Sequence, residues 1–374
     1  MSLPEALSAR HRRIIRADWE LTQECPWRCT HCYLGPKRLA GALTLAQCTH
    51  VLDELAEAGA AFLALTGGEP TLHPHFWELV RNAQERGFRV RVFSNLAHLR
   101  PRQVDRLAAM DLEAIEATFL GSTPELHDRI ARKPGSFDRL LAYVKRLRKL
   151  GARVHLKTAY MQANLRDYGR VEALAGRLGC AFAENWRLFH RLDAREAPEC
   201  GSLKDADLAE LIRRRARRVL GPQPGGTMER HLCGAGVSSW ALDPRANVYP
   251  CLLLRIKCGN LLKQSWREVY RHPCLKALRE TGAAAPGCRG CALARYCRRC
   301  RAQAWLETGD WRNPSAADCL AAAALHEFLH GAFVPSAHQR RHPEAIPAHV
   351  GEARLRELGF SEAQLRRRRR ARPG

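Results

Sequence analysis

The 374-residue sequence has no apolar run of the ~18–20 residues that a membrane-spanning helix requires. Its first residues, MSLPEALSARHRR, contain neither the apolar stretch nor the cleavage signature of an export signal. Both absences point to the cytoplasm, where thiols stay reduced. Acid is scarce: 38 Asp and Glu face 61 Lys and Arg, a formal charge of +23. Such a field attracts nucleic acid, anionic peptides or acidic small molecules, and says nothing about fold. Much of it sits in Arg213, Arg214, Arg215, Arg217 and Arg218, and in Arg366 to Arg370 with Arg372. These blocks read as a solvated helix face and a disordered tail, with the stretch 352–370 also readable as a helix that carries no evident chemistry. No stripe of Met or aromatic residues marks a helix. The 16 histidines are read as giving no helical metal pair at i, i+4 spacing.

What is plentiful is cysteine, with 15 thiols. In a reducing compartment clustered cysteines more often hold metal than pair, and an odd number argues against full pairing. Cys25, Cys29 and Cys32 fall within eight residues in ECPWRCTHCY (24–33). Thiolates are soft ligands that suit iron–sulfur clusters or zinc. A structural zinc site is closed by four ligands, so three thiolates with an open position signal catalysis. A zinc site completed by His31 is the competing reading.

Between about Ile14 and Phe189 short apolar runs alternate with longer helical patterns. Strands are expected over 17–23, 61–67, 88–95, 112–119, 152–160 and 180–189. Helices are expected over 43–59, 73–87, 101–110, 136–151 and 167–179, with Gly59, Gly87, Gly151 and Gly179 as C-terminal caps. Strand–helix–strand repetition predicts a parallel sheet, in an α/β fold that is either doubly wound or an incomplete barrel. The chain is divided into an N-terminal segment (1–14), a core (15–190), a connector with one basic helix (191–230), a Cys-rich unit (231–334) and a basic C-terminal tail (335–374). Cys48, Cys180 and Cys200 read as ordinary small residues. His73 and His75 read as a helix start, and Asp128 and Asp193 as possible acids or bases.

The order Cys25-Pro-Trp-Arg-Cys29-Thr-His-Cys32-Tyr33, after the first strand, resembles the cluster motif of the radical S-adenosylmethionine (SAM) superfamily. Thr66-Gly67-Gly68-Glu69-Pro70, ending the second strand, resembles that family's GGEP motif. Thr118-Phe-Leu-Gly121, the segments 125–128 and 134–137, and Lys157-Thr158 with Asn164 extend the likeness to about residue 190. The resemblance implies a partial (β/α)6 TIM-type barrel and a [4Fe–4S] cluster on Cys25, Cys29 and Cys32. Its free iron would chelate the SAM amino and carboxylate groups, and one electron would release a 5′-deoxyadenosyl radical. Gly67 and Gly68 would let the backbone approach SAM, with the Gly68 carbonyl and Glu69 accepting from its ammonium group. Thr118 would contact the ribose, and Pro70, Tyr33, Asn95 and Lys157 complete the implied cofactor contacts.

Cys233, Cys251, Cys288-Arg-Gly-Cys291, Cys297-Arg-Arg-Cys300 and Cys319 resemble the SPASM extension, which carries one or two auxiliary iron–sulfur clusters. The resemblance assigns Cys233, Cys251 and Cys300 to one cluster and Cys288, Cys291, Cys297 and Cys319 to another. Two departures stand out: Ala246 occupies a position that is glycine in the family, and Cys297 and Cys300 are separated by two residues rather than three. Cys258 and Cys274 are alternative ligands. Residues 300–310 resemble the pyrroloquinoline-quinone peptide cyclase group.

The implied activity is modification of a peptide or protein side chain. A separate peptide-recognition protein and a flavodoxin or ferredoxin as electron donor are the expected partners. Tetrapyrrole side-chain chemistry is the alternative within the family. A zinc-containing nucleic-acid binder is the alternative outside it; it predicts zinc, steep salt dependence and no role for residues 67–70.

Overall fold

The computed structural model describes residues 13–35, 41–189, 191, 203–219, 233–280, 286–347 and 349–371. Most of the N-terminal segment, the GPQPGG stretch at 221–226, Asp193 and Cys200 lie outside these residues. The chain forms two compact units: residues 2–202 with 235–278, and residues 203–234 with 279–374.

The first unit carries six parallel strands: β1 (Arg16–Thr22), β2 (Phe62–Gly67), β3 (Arg89–Phe93), β4 (Ala114–Thr118), β5 (Val154–Ala159) and β6 (Ala181–Asn185). They neighbour one another in strict chain order. A doubly wound sheet must reverse its order at a switch point. This one never does, so right-handed crossovers place every helix on one face and the other face curls inward. Electrostatics record the curl: the Lys157 ammonium on β5 feels Arg16 and Asp18 on β1, four strands away in the sheet. The partial barrel is therefore observed, and the doubly wound option falls.

The intervening helices are α1 (Leu45–Glu57), α2 (Phe76–Glu85), α3 (Pro101–Ala109), α4 (Pro124–Ala131), α5 (Ser136–Lys149) and α6 (Arg170–Arg177). Helix α1 shows why they form. Thr44 and Gln47 make a reciprocal capping box, and Cys48, Val51, Leu52 and Leu55 fall on one buried stripe. Helix α4 was absent from the sequence expectations. Its eight residues, capped by Thr123 and started by Pro124, are too short to show a clear period.

The sheet does not stop at the core boundary expected at residue 190. Strand β7 (Ser239–Leu242) pairs in parallel with the free edge of β1, and the antiparallel β8 (Asn247–Tyr249) and β9 (Gly259–Asn260) follow. Hydrogen bonding to β1 thus draws residues 235–278 out of the expected Cys-rich unit and into the barrel unit. Helices α8 (Trp266–Tyr270) and α9 (Pro273–Glu280) follow β9, whereas α7 (Asp205–Val219) belongs to the second unit.

The second unit contains α10 (Arg301–Thr308), α11 (Ala316–His330), α12 (Ala337–Arg341), α13 (Glu352–Glu357) and α14 (Glu362–Arg370). Here the expected disordered tail is corrected. Ile346, Val350, Leu355, Phe360 and Leu365 share a core with Leu293, Ala322, Ala323 and Phe333. The arginine block is helix α14. Helical spacing turns Leu365 and Arg368 inward, and the Arg368 guanidinium donates to the carbonyls of Pro347 (2.7 Å) and Val350 (2.8 Å). Arg367 and Arg369 reach Glu344 and Glu352. Read linearly, the run is a like-charge block; wound as a helix, its charge is divided among separate partners.

Candidate active site

The loop 24–33 leaves the C-terminal end of β1, the end at which barrel sites are built. Its main chain is tied to α4: Arg28 and Thr30 N–H groups donate to the Ala131 and Ile130 carbonyls. Beneath it Trp27 stands edge-on to His127, with ring centroids 5.2 Å apart, and His127 packs on Phe119 and Phe137. The His127 Nδ1 accepts from the Leu120 N–H, and burial lowers its pKa to about 4. The unforeseen helix is thus the foundation of the cysteine loop. Cys25, Cys29 and Cys32 are each half-buried, and the Cys32 N–H donates to the Cys29 carbonyl at 3.1 Å.

The two glycines after β2 let two chain segments meet closely. A Cβ on Gly67 would lie 2.1 Å from the Thr22 carbonyl oxygen, and one on Gly68 2.2 Å from that of Glu24. Their bareness serves the approach of two chain segments, sealed by Gly68 N–H to Thr22 O and Glu69 N–H to Glu24 O, both 2.7 Å. Gly67 also has φ of 129°, open only to glycine.

Glu69 is buried within the protein. Its carboxylate is fully buried and accepts from the Thr71 N–H, the Thr71 and Ser94 hydroxyls and the Asn95 N–H. Burial raises its pKa although all four donors pull the other way. The Pro70 turn follows as a short 3-10 helix.

Tyr33 and Lys157 are likewise engaged with the protein. The Tyr33 hydroxyl donates to Glu20 at 2.6 Å, and Arg255, from the loop after Cys251, pairs with the same carboxylate. Burial, then the Glu20 charge, hold the Tyr33 phenol well above its usual pKa. Lys157 pairs with Glu116 at 2.6 Å and lies 3.9 Å from the centre of the Phe93 ring. Thr118 ends β4 in register with Lys157. Asp128 is no acid or base: it accepts from Gly135 N–H, Ser136 hydroxyl and Phe137 N–H, fastening the start of α5.

In the second unit Cys288, Cys291, Cys297 and Cys319 lie within electrostatic reach of one another. Burial pushes the Cys319 thiol up to about 12 and drives Cys297 upward as well. Four clustered, desolvated thiols repel one another as thiolates, and bound metal cations relieve that repulsion. The donor set therefore fits a thiolate-held iron–sulfur cluster. The Cys291 sulfur also accepts from the Ala337 N–H at 3.4 Å, so the supposed tail supports this set. Cys233 and Cys300 belong to the same unit, whereas Cys251 belongs to the barrel unit. The neighbouring Cys274, with burial, raises the Cys258 thiol pKa, and the Cys258 thiol donates to the Ile256 carbonyl at 3.2 Å.

Ala246 keeps the glycine conformation without the glycine: its φ is 59° and it is fully buried. The histidine reading needs correction, because His326 and His330 stand four apart on α11. Their polar atoms are engaged, His326 with the Ala332 carbonyl and His330 with the Tyr296 hydroxyl, while the intervening Glu327 binds Arg213 and His349. Among the described residues no three His, Cys, Asp or Glu side chains are placed to hold a single metal ion.

An incomplete parallel barrel with a three-thiol loop at its mouth, joined to a second thiol-rich unit, defines a class of iron–sulfur enzyme. The Radical SAM superfamily model matches residues 19–163, and the SPASM iron–sulfur cluster-binding domain model matches 233–301. Mycofactocin maturase MftC of Mycobacterium tuberculosis is 30% identical over 306 residues, covering 76% of this chain and 77% of its own. The AdoMet-dependent heme synthase of Methanosarcina barkeri is 26% identical, covering 78% and 93%. The PqqA peptide cyclase of Ruegeria pomeroyi is 28% identical, covering 80% and 84%. Streptococcus suis SuiB bound to its precursor peptide SuiA superposes with a TM-score of 0.66 at 14% identity, covering 84% of this chain and 78% of SuiB. The chain belongs to the radical SAM superfamily and carries a SPASM domain. It is an enzyme whose cofactors are SAM, a [4Fe–4S] cluster and auxiliary iron–sulfur clusters. No described helix is long and apolar enough to cross a membrane.

Proposed function

We propose that this enzyme modifies a side chain of a ribosomally made peptide, with Cys25, Cys29 and Cys32 holding the SAM-binding cluster. The placement of those three thiols at the barrel mouth, braced by α4 and by residues 67–69, carries the reading. Cys25, Cys29 and Cys32 would hold the cluster and leave it a position for SAM, and the bound pair would supply hydrogen-abstracting radical chemistry.

The chain's own part is to position and to exclude water. The main chain of Gly67 to Pro70 would border SAM, with the Gly68 carbonyl as acceptor for its ammonium. The Thr118 hydroxyl would contact the ribose. Tyr33 and Lys157 act through their partners Glu20 and Glu116, holding the barrel interior in shape. Cys288, Cys291, Cys297 and Cys319 hold one auxiliary cluster, and Cys233 and Cys300 of the same unit are further cluster ligands. A peptide substrate is supported by the maturase and cyclase relatives and by the fold shared with peptide-bound SuiB. A flavodoxin or ferredoxin supplies electrons, and a separate protein recognises the leader.

Likeness to the heme synthase favours tetrapyrrole chemistry as the second reading. Anaerobic reconstitution followed by SAM and reductant tests both. About 8–12 irons per chain and release of 5′-deoxyadenosine are expected. Zinc as the sole metal, or no SAM cleavage by an iron-replete sample, refutes the assignment. A chelatable tetrapyrrole product in place of a mass change on a peptide from a neighbouring reading frame selects the second reading.

A further inference from the structure

The turn that follows β3 is built in a way that neither strand pairing nor cofactor contact requires. Ser94 closes the strand by donating its N–H to the Glu116 carbonyl. Asn95 comes next, and then Leu96, a fully buried leucine with φ of 58°. That left-handed conformation is unfavourable for a leucine and persists only where the surroundings over-determine it.

The surroundings do so from three sides. Glu69 accepts the Asn95 N–H at 2.8 Å. The Ser94 hydroxyl, itself bound to Glu69, accepts the Leu96 N–H at 2.9 Å. Helix α5 reaches over with the Arg139 guanidinium on the Ala97 carbonyl (2.7 Å) and the Tyr143 hydroxyl on the Leu99 carbonyl (2.9 Å). The His98 ring meets the Thr71 hydroxyl at 3.4 Å.

The product of this construction is one fixed carboxamide. The Asn95 Oδ1 accepts from the Ala97 N–H at 2.9 Å. A main-chain N–H can only donate, so the oxygen's position is settled and the amide nitrogen must face the other way. It faces Cys25, with Nδ2 3.3 Å from Sγ. The same sulfur accepts from the Trp27 N–H at 3.4 Å, a bond supplied by its own loop. The Asn95 bond comes from another strand, and the buried Glu69 carboxylate holds the residue that makes it.

We propose that Asn95 is a positioning residue for SAM cleavage, donating to the Cys25 sulfur so as to raise the reduction potential of the cluster held there. The inference rests on the assignment of Cys25 as a cluster ligand. Hydrogen bonds to cluster sulfurs stabilise the more negative, reduced state, and are among the terms that set such potentials. It assigns a purpose to the strained turn and to the buried Glu69.

The test compares reconstituted wild type, Asn95→Ala and Asn95→Asp in the full chain. Asn95→Ala deletes the donor; Asn95→Asp keeps the shape and turns an acceptor toward the sulfur. Each protein is titrated with reductant and the reduced cluster is followed by electron paramagnetic resonance, with SAM affinity measured separately. In Asn95→Ala the ratio of reduced to oxidised cluster at a fixed potential should fall about tenfold, equivalent to about 59 mV for one electron. Asn95→Asp should shift further in the same direction. An unchanged potential in both variants overturns the proposal, and does so most clearly if SAM affinity falls instead. Wild type that binds no iron–sulfur cluster is a different failure, that of the ligand assignment itself.

Discussion

Removing the Glu69 carboxylate should be among the costlier single changes in the barrel unit. In Glu69→Ala the Thr71 and Ser94 hydroxyls can rotate toward other acceptors. The Thr71 and Asn95 N–H groups cannot, because the main chain fixes them. A buried donor without a partner costs ~1–3 kcal/mol. Two such donors, with the void left by the side chain, give about 3–6 kcal/mol. Glu69→Gln keeps one carbonyl oxygen but sets an amide nitrogen against the Asn95 N–H. It also escapes the burial of charge that raises the Glu69 pKa, so about 1–3 kcal/mol is expected. The assay is guanidinium unfolding of the cluster-free chain followed by tryptophan fluorescence, since Trp19 and Trp27 are buried in this unit. Acidity gives a second readout. A folded pKa above the usual value means that the folded state binds the proton more tightly. The contribution of Glu69 is therefore greatest below the usual carboxylate range and declines as pH rises through its folded pKa. Glu69→Gln should lose that dependence. A Glu69→Ala protein within about 1 kcal/mol of wild type would refute the reasoning.

Three further outcomes follow from the geometry. Gly68→Ala places a methyl group 2.2 Å from one carbonyl oxygen and 2.5 Å from another, so the chain ends must part; iron bound per chain after reconstitution should fall, as measured by iron assay. Ala246→Gly should stabilise the chain by about 1 kcal/mol, because it removes a positive-φ penalty at a buried turn; a lower unfolding midpoint would contradict this. Burial holds the His127 pKa at about 4, so the folded state binds fewer protons than the unfolded one between that value and the ordinary imidazole range. Stability should decline as pH falls through this window, by about 2 kcal/mol between pH 6.5 and 5, and His127→Gln should flatten that part of the profile.

Much of this protein was legible in its residues. The strand and helix periods between 16 and 185 placed all six parallel strands, and the three thiols followed by Gly67 to Pro70 identified the chemistry. Those signals are local: a period, a spacing and a glycine pair survive being read one residue after another. Roles that depend on where a side chain points did not survive such reading. Glu69, Tyr33 and Lys157 each bind a protein partner distant in sequence or across a turn, which no local spacing shows. His326 and His330, a spacing the sequence does contain, are occupied by neighbours that only folding supplies.

The sequence by itself determined the alternation of parallel strands with helices and the thiol inventory; the barrel and the radical SAM chemistry were legible only through the likeness of its motifs to a known family, since periodicity leaves a doubly wound sheet open and soft ligands leave zinc open. Tertiary structure alone decided that β7 would extend the sheet from the edge of β1 and that Leu365 and Arg368 of the arginine-rich end would face a core. It alone brought a strained turn and a buried carboxylate to hold Asn95 against Cys25. Each of these depends on hydrogen-bonding and packing partners tens of residues away, and such pairings leave no periodic trace along a single chain.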